Sequence, residues 1–143
     1  MKSILVALLS IGSSALAMTN MPGGVYQGQG RWNDNQGRVG SYNVTTTVTG
    51  GTVSSTYTFN DQTESFTFEA KEAAAGRFDV LVGGEKIGEG YCMSVQCHYV
   101  TELAGTNLEE TLTFYEGHLY RIGSKRVEGK IVTWEEAMAK QED

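Results

Sequence analysis

The stretch VGSYNVTTTVTGGTVSSTYTF, which runs from Val39 to Phe59, decides the fold class. In its second half, TVSSTYTF, valine, tyrosine and phenylalanine share one parity, and the other parity holds only serine and threonine. Successive side chains of a strand point to opposite faces, so this alternation is typical of a half-buried β-strand. Gly50-Gly51 separates the two halves and is a two-residue hairpin signal. The stretch therefore predicts two antiparallel strands joined by a tight turn.

The same pattern recurs over most of the remaining chain. Short alternating segments are separated by turns such as Asn60-Asp61, Gly83-Gly84 and Glu116-Gly117, about 8–12 residues apart. Two-residue turns between sequential strands favour a meander over crossover connections. We therefore predict an all-β fold, an antiparallel up-and-down β-barrel of about 8–10 strands. The expected strands are Gly24–Trp32, Val39–Thr49, Thr52–Phe59, Ser65–Glu69, Arg77–Val82, Lys86–Met93, Gln96–Leu103, Asn107–Tyr115, Leu119–Ile122 and Val127–Trp134.

Two segments have a helical composition. Trp134–Lys140 (WEEAMAK) predicts a short C-terminal helix, because Trp134 and Met138 would lie on one face of it. Glu69–Ala75 (EAKEAAA) is open between a helical turn and a loop. The predicted fold thus combines the barrel with one short terminal helix.

The N-terminal segment Met1–Ala17 has the features of a cleavable signal peptide. It has a positive start, an apolar run at Ile4–Ile11 and the small-residue cleavage pattern Ala15-Leu16-Ala17. The apolar run is shorter than the roughly 20 residues of a transmembrane helix, and no cysteine follows Ala17 as a lipid anchor would require. We therefore expect residues 18–143 to form a single soluble domain in the periplasm or outside the cell.

The charge of the chain narrows its partners. Its formal net charge is −6, and loss of Lys2 with the signal peptide makes the mature protein more acidic. Affinity for nucleic acid comes largely from Lys and Arg on phosphates, so no nucleic-acid partner is expected. The acidic balance is expected to serve solubility.

Two cysteines, Cys92 and Cys97, lie close together in YCMSVQCH. In an exported protein such a pair more often forms a disulfide than a metal site, and the short spacing suits the two ends of a hairpin tip. Zinc would have to recruit His98 and His118, but there is no second cysteine pair and no suitable histidine spacing. The prediction is a Cys92–Cys97 disulfide, no metal and no cofactor.

One segment carries a family resemblance. Gly24–Gly30 (GVYQGQG) resembles the G-x-W-x-G-x-G opening strand of calycin-type barrels, the lipocalin-like and nitrobindin-like group, with Tyr26 at the position of the tryptophan. In such barrels a large aromatic residue plugs one end and the glycines let the strand bend. The resemblance implies an up-and-down barrel with a ligand cavity, and an arginine packed over the aromatic residue, a part for Arg121 or Arg126. A haem-binding version would need an axial histidine, and neither histidine lies in a matching context.

Aromatic residues dominate the predicted strands. Rings and threonine hydroxyls that point into a small barrel suit a small amphipathic or planar ligand. The same rings could instead fill the core, because eight strands leave an interior about wide enough for side chains, and a filled core is slightly favoured over a cavity. The candidate ligand-binding residues are Tyr26, Trp32, Tyr42, Tyr57, Phe66, Phe68, Phe78, Tyr91, Phe114, Tyr120 and Arg121.

No catalytic residue is predicted. The chain has no G-x-S-x-G motif, and its two histidines offer no triad signature. Neighbours on a strand face opposite ways, so Glu109 and Glu110 cannot act together, and Glu110 is expected to point outward. Gly123–Arg126 is interpreted as a polar hairpin turn, with anion capture by Lys125 and Arg126 as the alternative. We therefore expect that the protein is not an enzyme.

Three classes of function remain. The first is an exported calycin-like barrel that binds a small hydrophobic or amphipathic ligand in its interior. The second is a protein-interaction module such as a hydrolase inhibitor, with the Cys92–Cys97 loop as a rigid probe. An outer-membrane barrel ranks last, because several predicted strands are shorter than the roughly 9–11 residues that such strands need.

Overall fold

The computed structural model describes residues 21–142, and within this range the chain forms ten β-strands and no helix. The predicted signal peptide, Met1–Ala17, lies outside the described residues. The strands are β1 (Gly24–Asp34), β2 (Val39–Thr49), β3 (Thr52–Phe59), β4 (Gln62–Ala74), β5 (Arg77–Val82), β6 (Glu85–Met93), β7 (Gln96–Leu103), β8 (Thr106–Tyr115), β9 (His118–Val127) and β10 (Lys130–Lys140).

The strands close into one antiparallel barrel. Each strand pairs with its neighbours in the chain, and β1 pairs with β10 to complete the ring. The closing pair runs in register from Tyr26 opposite Lys140 to Asp34 opposite Val132. Closure removes the exposed sheet edges that would otherwise invite association with another chain. The predicted all-β, antiparallel up-and-down barrel is confirmed.

The predicted C-terminal helix is wrong. Trp134–Lys140 forms the second half of β10 and pairs with both β1 and β9. These ladders satisfy its backbone on both sides and complete the barrel, which outweighs a helical propensity worth less than about 1 kcal/mol per residue. Glu69–Ala75 is also mostly strand, at the end of β4.

The turns define two ends of the barrel. The turns after β1, β3, β5, β7 and β9 lie at one end, which we call the open end, and those after β2, β4, β6 and β8 lie at the other, which we call the closed end. In Asn60-Asp61 and Glu128-Gly129, at the open end, both residues have positive φ. This conformation is that of type I′ turns, whose twist matches the twist of the flanking strands. These two turns therefore join their strands tightly.

The closed end is filled with side chains. Tyr26 is 1% exposed, its ring meets Phe114 edge to face at 5.8 Å, and its hydroxyl donates to the carbonyl of Pro22 at 2.8 Å. Met21 is buried in the same cluster. An aromatic residue thus lies near the start of β1 where the calycin resemblance leads us to expect a plug. The surrounding core comprises Val48, Val53, Phe68, Phe78, Val80, Leu112, Leu119 and Met138.

The predicted disulfide is confirmed. Cys92 and Cys97 face each other on β6 and β7 and form an S–S bond. Both residues are buried in the core of the closed end. The bond therefore ties two strands together from inside the barrel.

Candidate ligand-binding cavity

A cavity of about 470 Å³ occupies the barrel interior at the open end. Its volume lies within the range of roughly 300–1,000 Å³ that is typical of small-molecule sites. The expectation that side chains fill the barrel interior therefore holds at the closed end but not at the open end. The wall is mainly aromatic, with charged residues at the rim and floor. It comprises Trp32, Tyr42, Tyr57, Phe59, Phe66, Trp134, Leu108, Val132, Asp34, Arg38, Glu64, Lys125, Glu110 and Glu136.

Glycines on neighbouring strands make room for the two tryptophans of the wall. Trp32 lies directly across from Gly40, where an added Cβ would stand only 2.4 Å from the indole nitrogen. Trp134 lies across from Gly123 in the same way, with 2.6 Å to the nearest ring atom. Both rings can therefore lie against the barrel wall, and the lumen between them stays open.

The floor of the cavity is a buried polar layer centred on Arg121. The Nε atom of Arg121 donates to Oε2 of Glu136 at 2.5 Å. Its terminal nitrogens reach across the lumen from β9 to Oγ of Ser55 at 2.9 Å and to Oγ1 of Thr46 at 3.2 Å. The guanidinium also lies over the ring of Tyr57, 5.6 Å from its centroid. The Arg121 side chain thus forms a crossbar between the filled closed end and the cavity.

Glu136 is held by a second donor across a glycine. Gly30 on β1 lies in register between Tyr42 on β2 and Glu136 on β10. A Cβ at Gly30 would stand 2.2 Å from the Tyr42 ring, so only glycine leaves the path clear. Through this gap the Tyr42 hydroxyl donates to Oε1 of Glu136 at 2.7 Å.

Glu110 is held in the same manner on the other side of Arg121. Gly123 lies in register between Glu110 and Trp134. The indole N–H of Trp134 donates to Oε2 of Glu110 at 2.9 Å, and the Tyr99 hydroxyl donates to Oε1 at 2.5 Å. Nε of Arg121 lies 3.4 Å from the same carboxylate. The prediction that Glu110 points outward is wrong: it is 5% exposed, because it occupies the inward register of β8.

Burial and neighbouring charges set the protonation of this layer. Burial by itself lowers the pKa of Arg121, but Glu110 and the surrounding acidic groups raise that pKa well above its ordinary value. Burial raises the pKa of Tyr57 to about 12 and also raises the pKa of Tyr99. Arg121 is therefore charged and both phenols remain protonated. Burial raises the pKa of Glu136 as well, although Arg121 opposes the shift.

The structure sorts the predicted ligand-binding residues into three groups. Those that line or underlie the cavity are Trp32, Tyr42, Tyr57, Phe66 and Arg121. Those that fill the closed end are Tyr26, Phe68, Phe78 and Phe114. Those that point outward are Tyr91, 53% exposed, and Tyr120, 42% exposed.

The outward position of Tyr91 and Tyr120 corrects the expectation that they face the interior. Tyr120 adjoins Arg121 and Tyr91 adjoins Cys92, and neighbours on a strand cannot share a face. Because Arg121 and Cys92 are buried, the two tyrosines are directed to solvent. The ring recorded beneath Arg121 is that of Tyr57, whereas the calycin resemblance implies an arginine over Tyr26.

Ten residues of the cavity lining are absent from the predicted ligand-binding residues, and they include Phe59, Trp134, Glu110 and Glu136. A signal for three of them is present in the sequence. Trp134 and Glu136 alternate with exposed residues at the period of a strand, and Glu110 shares the parity of Leu112. The sequence did not lead to these residues because Glu110 and Glu136 are charged and because Trp134 and Glu136 lie in a segment of helical composition.

A wider concavity, of about 960 Å³, lies on the outer face of the barrel. Its lining is drawn largely from solvent-facing side chains of β1, β2, β8, β9 and β10, among them Ser41 and Glu109. It includes an exposed ion pair between Arg31 and Glu135 at 3.1 Å. It also includes the exposed side chains of Val39 and Ile122. The interior cavity, with its aromatic wall above a buried polar floor, is the candidate site.

Other features of the sequence have simple positions. Gly123–Arg126 lies within β9, so the predicted hairpin turn there is wrong. His98 forms a hydrogen bond with Thr111 at 2.8 Å, and His118 lies beside a turn carbonyl.

Across residues 21–142, no group of three or more His, Cys, Asp or Glu side chains could hold a metal ion. No helix in the described part of the chain is long and apolar enough to span a membrane.

The ten strands form a closed meander, the up-and-down barrel that the calycin resemblance implies. Neither a protein-family model nor a curated protein matches the chain. Among solved structures, the S-type phycobiliprotein lyase CPES from Guillardia theta is similar, with a TM-score of 0.67 and 7% identity over 96% of this chain and 93% of that one. A protein of unknown function from the DUF3598 family of Nostoc punctiforme has a TM-score of 0.67 and 12% identity over 91% of this chain. The match covers 51% of that second protein, about half its length. At these identities the comparisons establish a shared fold.

The first comparison contradicts the expectation that the protein is not an enzyme. A protein that shares this fold over nearly its whole length is named a lyase. The absence of hydrolase motifs is therefore no ground for excluding catalysis in a barrel of this kind.

Proposed function

We propose that the protein is an exported barrel that binds a small amphipathic ligand in the cavity at its open end. The observation that carries the proposal is an aromatic wall above a buried polar floor within one cavity of about 470 Å³. Binding sites for small molecules are mostly apolar, with a few polar groups that orient the ligand. The similarity in fold to a phycobiliprotein lyase is compatible with this role.

The mouth and wall of the cavity are held in place before any ligand arrives. At the rim, Asp34 accepts hydrogen bonds from the backbone N–H groups of Gln36 and Arg38, each at 2.9 Å, and from Nε of Arg38 at 2.7 Å. In the wall, the Tyr42 and Trp134 rings are fixed by hydrogen bonds to the buried carboxylates. A site that is already ordered loses less conformational entropy on binding.

The binding function can be tested with N-phenyl-1-naphthylamine, a neutral fluorescent probe. Wild-type protein should enhance its fluorescence in a saturable manner. Gly40→Ala should weaken binding about tenfold, equivalent to about 1.4 kcal/mol, because the new methyl group displaces the Trp32 ring into the lumen. Ser41→Ala, which changes the adjacent outward residue, is the matched control and should bind as wild type does. If the wild type binds neither this probe nor any of the cationic, neutral and anionic naphthalenes used below, the proposal is contradicted.

Export rests on the sequence of Met1–Ala17 and has its own test. The full chain, produced in a bacterial host with a periplasm, should be recovered from the periplasm or medium. Its intact mass should equal that of a chain that begins at Met18. Recovery of the whole protein from the cytoplasm with residues 1–17 retained would contradict export.

A protein-interaction module is the second candidate, favoured by one feature of the closed end. Met93 and Val95 are 67% and 45% exposed on a turn whose ends are joined by the Cys92–Cys97 bond. A hydrolase that co-purifies from the native host with the wild type, and no longer does so with Met93→Ser/Val95→Ser, would support this role. Co-purification that the double variant leaves unchanged would contradict the role of this turn.

A further inference from the structure

The charges beneath the cavity do not balance. Among residues 21–142, three charged residues are buried within the barrel: Glu110, Arg121 and Glu136. Two carboxylates therefore face one guanidinium, which leaves one negative charge in excess when all three are ionised. A buried charge is costly unless an opposite charge or hydrogen bonds compensate it.

The rim of the cavity does not supply the missing positive charge. Asp34 and Arg38 neutralise each other at 2.7 Å. Glu64 and Lys125 add one charge of each sign to the lining. The charged residues of the rim thus sum to zero, and the excess negative charge of the floor remains.

The wall is suited to a positive charge. The faces of aromatic rings attract cations, with tryptophan the strongest, and sites of this kind recognise ammonium groups. Trp32 and Trp134 are in register across the closing pair of strands, and both line the cavity. Glu110, bonded to the Trp134 indole, is the more accessible of the two carboxylates, with a side chain 6% exposed against 1% for Glu136.

We infer that the ligand carries a positively charged nitrogen, a protonated amine or a quaternary ammonium, on an apolar or planar body. The nitrogen lies among the aromatic rings near Glu110, and the apolar body fills the wider part of the cavity. Arg121 stays bonded to Glu136 on the far side of the floor, so the ligand cation compensates the second carboxylate. This inference rests on the proposed ligand-binding function.

Three naphthalene probes of similar size test the inference by isothermal titration calorimetry at pH 7. They are 2-naphthylmethylamine, which is a cation, 2-naphthylmethanol, which is neutral, and 2-naphthoic acid, which is an anion. The ammonium probe should bind at least about tenfold more tightly than the alcohol, and the carboxylate should bind most weakly. Equal or tighter binding of the alcohol or the acid would overturn the inference and leave the binding barrel intact.

The same experiment separates failure of the inference from failure of the proposed function. Binding of N-phenyl-1-naphthylamine without binding of the ammonium probe overturns the inference alone. If neither that neutral probe nor any of the three naphthalenes binds, the proposed ligand-binding function fails.

A carboxylate variant locates the charge preference. Glu110→Gln keeps the shape and an acceptor oxygen but removes the charge, so the roughly tenfold preference for the ammonium probe over the alcohol should be lost. Glu109→Gln, at the adjacent outward residue, is the matched control and should change neither affinity. A folded Glu110→Gln that keeps the full ammonium preference would overturn the assignment. If Glu110→Gln does not fold, Glu136→Gln tests the same excess charge with the same expected and contradicting results.

Discussion

The two ends of the barrel put the same kinds of side chain to different uses. Phe68 and Phe66 lie two positions apart on the inward face of β4, with ring centroids 6.2 Å apart. Phe68 is 2% exposed and packs on Tyr99 at the closed end, whereas Phe66 lines the open cavity. The Arg121 crossbar marks the boundary between them. The difference indicates that the closed end carries the stability of the barrel, which leaves the open end free to stay hollow.

Loss of the Arg121 crossbar should cause the largest decrease in the free energy of unfolding. Arg121→Met removes the shared partner of Glu110, Glu136, Thr46 and Ser55, and should lower the free energy of unfolding by about 4 kcal/mol, because two buried carboxylates lose their counter-charge. Urea denaturation followed by tryptophan fluorescence measures the change.

Arg126→Met is the matched control for this change. Arg126 lies on the same strand but is exposed, so its variant should stay within about 0.5 kcal/mol of the wild type. Similar losses in the two variants would show that Arg121 does not hold the boundary.

Substitution of Phe68 and Phe66 tests directly whether the closed end carries stability and the open end carries binding. Phe68→Ala should cost about 3 kcal/mol, since it opens a void in a packed core. Phe66→Ala should cost about 1 kcal/mol or less, because part of its ring already faces the cavity. Chemical denaturation gives both values, and N-phenyl-1-naphthylamine titration should show weaker binding in Phe66→Ala only. Equal losses of stability would erase the distinction between the two ends.

The architecture could be predicted because its signals are local. Alternation and turn composition are properties of neighbouring residues, and the predicted strands Arg77–Val82 and Gln96–Leu103 agree with β5 and β7 at both ends. Trp134 and Met138 show where local signals fail. A spacing of four fits one face of a helix and also two steps along one face of a strand, and only pairing with β1 and β9 decides between them.

The candidate site was harder to predict because its contacts cross the barrel. The hydroxyl partners of Arg121, Ser55 and Thr46, lie 66 and 75 residues away along the chain, and no local pattern brings them together. Carboxylates generally prefer solvent, and that preference favours the wrong prediction that Glu110 points outward. Its donors, Tyr99 and Trp134, lie on two other strands and override that preference.

The disulfide gives a perturbation confined to the closed end. The Cys92→Ala/Cys97→Ala double variant should lower the free energy of unfolding by about 2 kcal/mol, because the bond closes only a short loop in the unfolded chain. The affinity for N-phenyl-1-naphthylamine should remain that of the wild type, because both cysteines lie outside the cavity lining. A folded double variant with weakened probe binding would show that the two ends are coupled.

The smallest effect is a pH dependence that belongs to the floor of the open end. The pKa of Glu136 is raised by burial above its usual value of 4.5, with Arg121 and Tyr42 opposing the shift and Glu110 adding to it. A carboxyl whose pKa is higher in the folded state stabilises the fold fully below its unfolded pKa, and this contribution is lost as pH rises through the folded value. The wild type should therefore lose stability relative to Glu136→Gln as pH increases from about 4.5, with a slope below about 1.4 kcal/mol per pH unit.

Urea denaturation of both proteins from pH 4.5 to pH 8 measures this difference. Glu135→Gln, which changes the adjacent exposed carboxylate paired with Arg31, is the control and should stay within about 0.5 kcal/mol of the wild type, because an exposed ion pair contributes little to stability. A difference that instead grows in favour of the wild type with rising pH would mean that Glu136 is stabilised as a carboxylate in the folded barrel. In that case the floor would hold its second negative charge without help from a bound proton, and the demand for a cation in the cavity would be greater still.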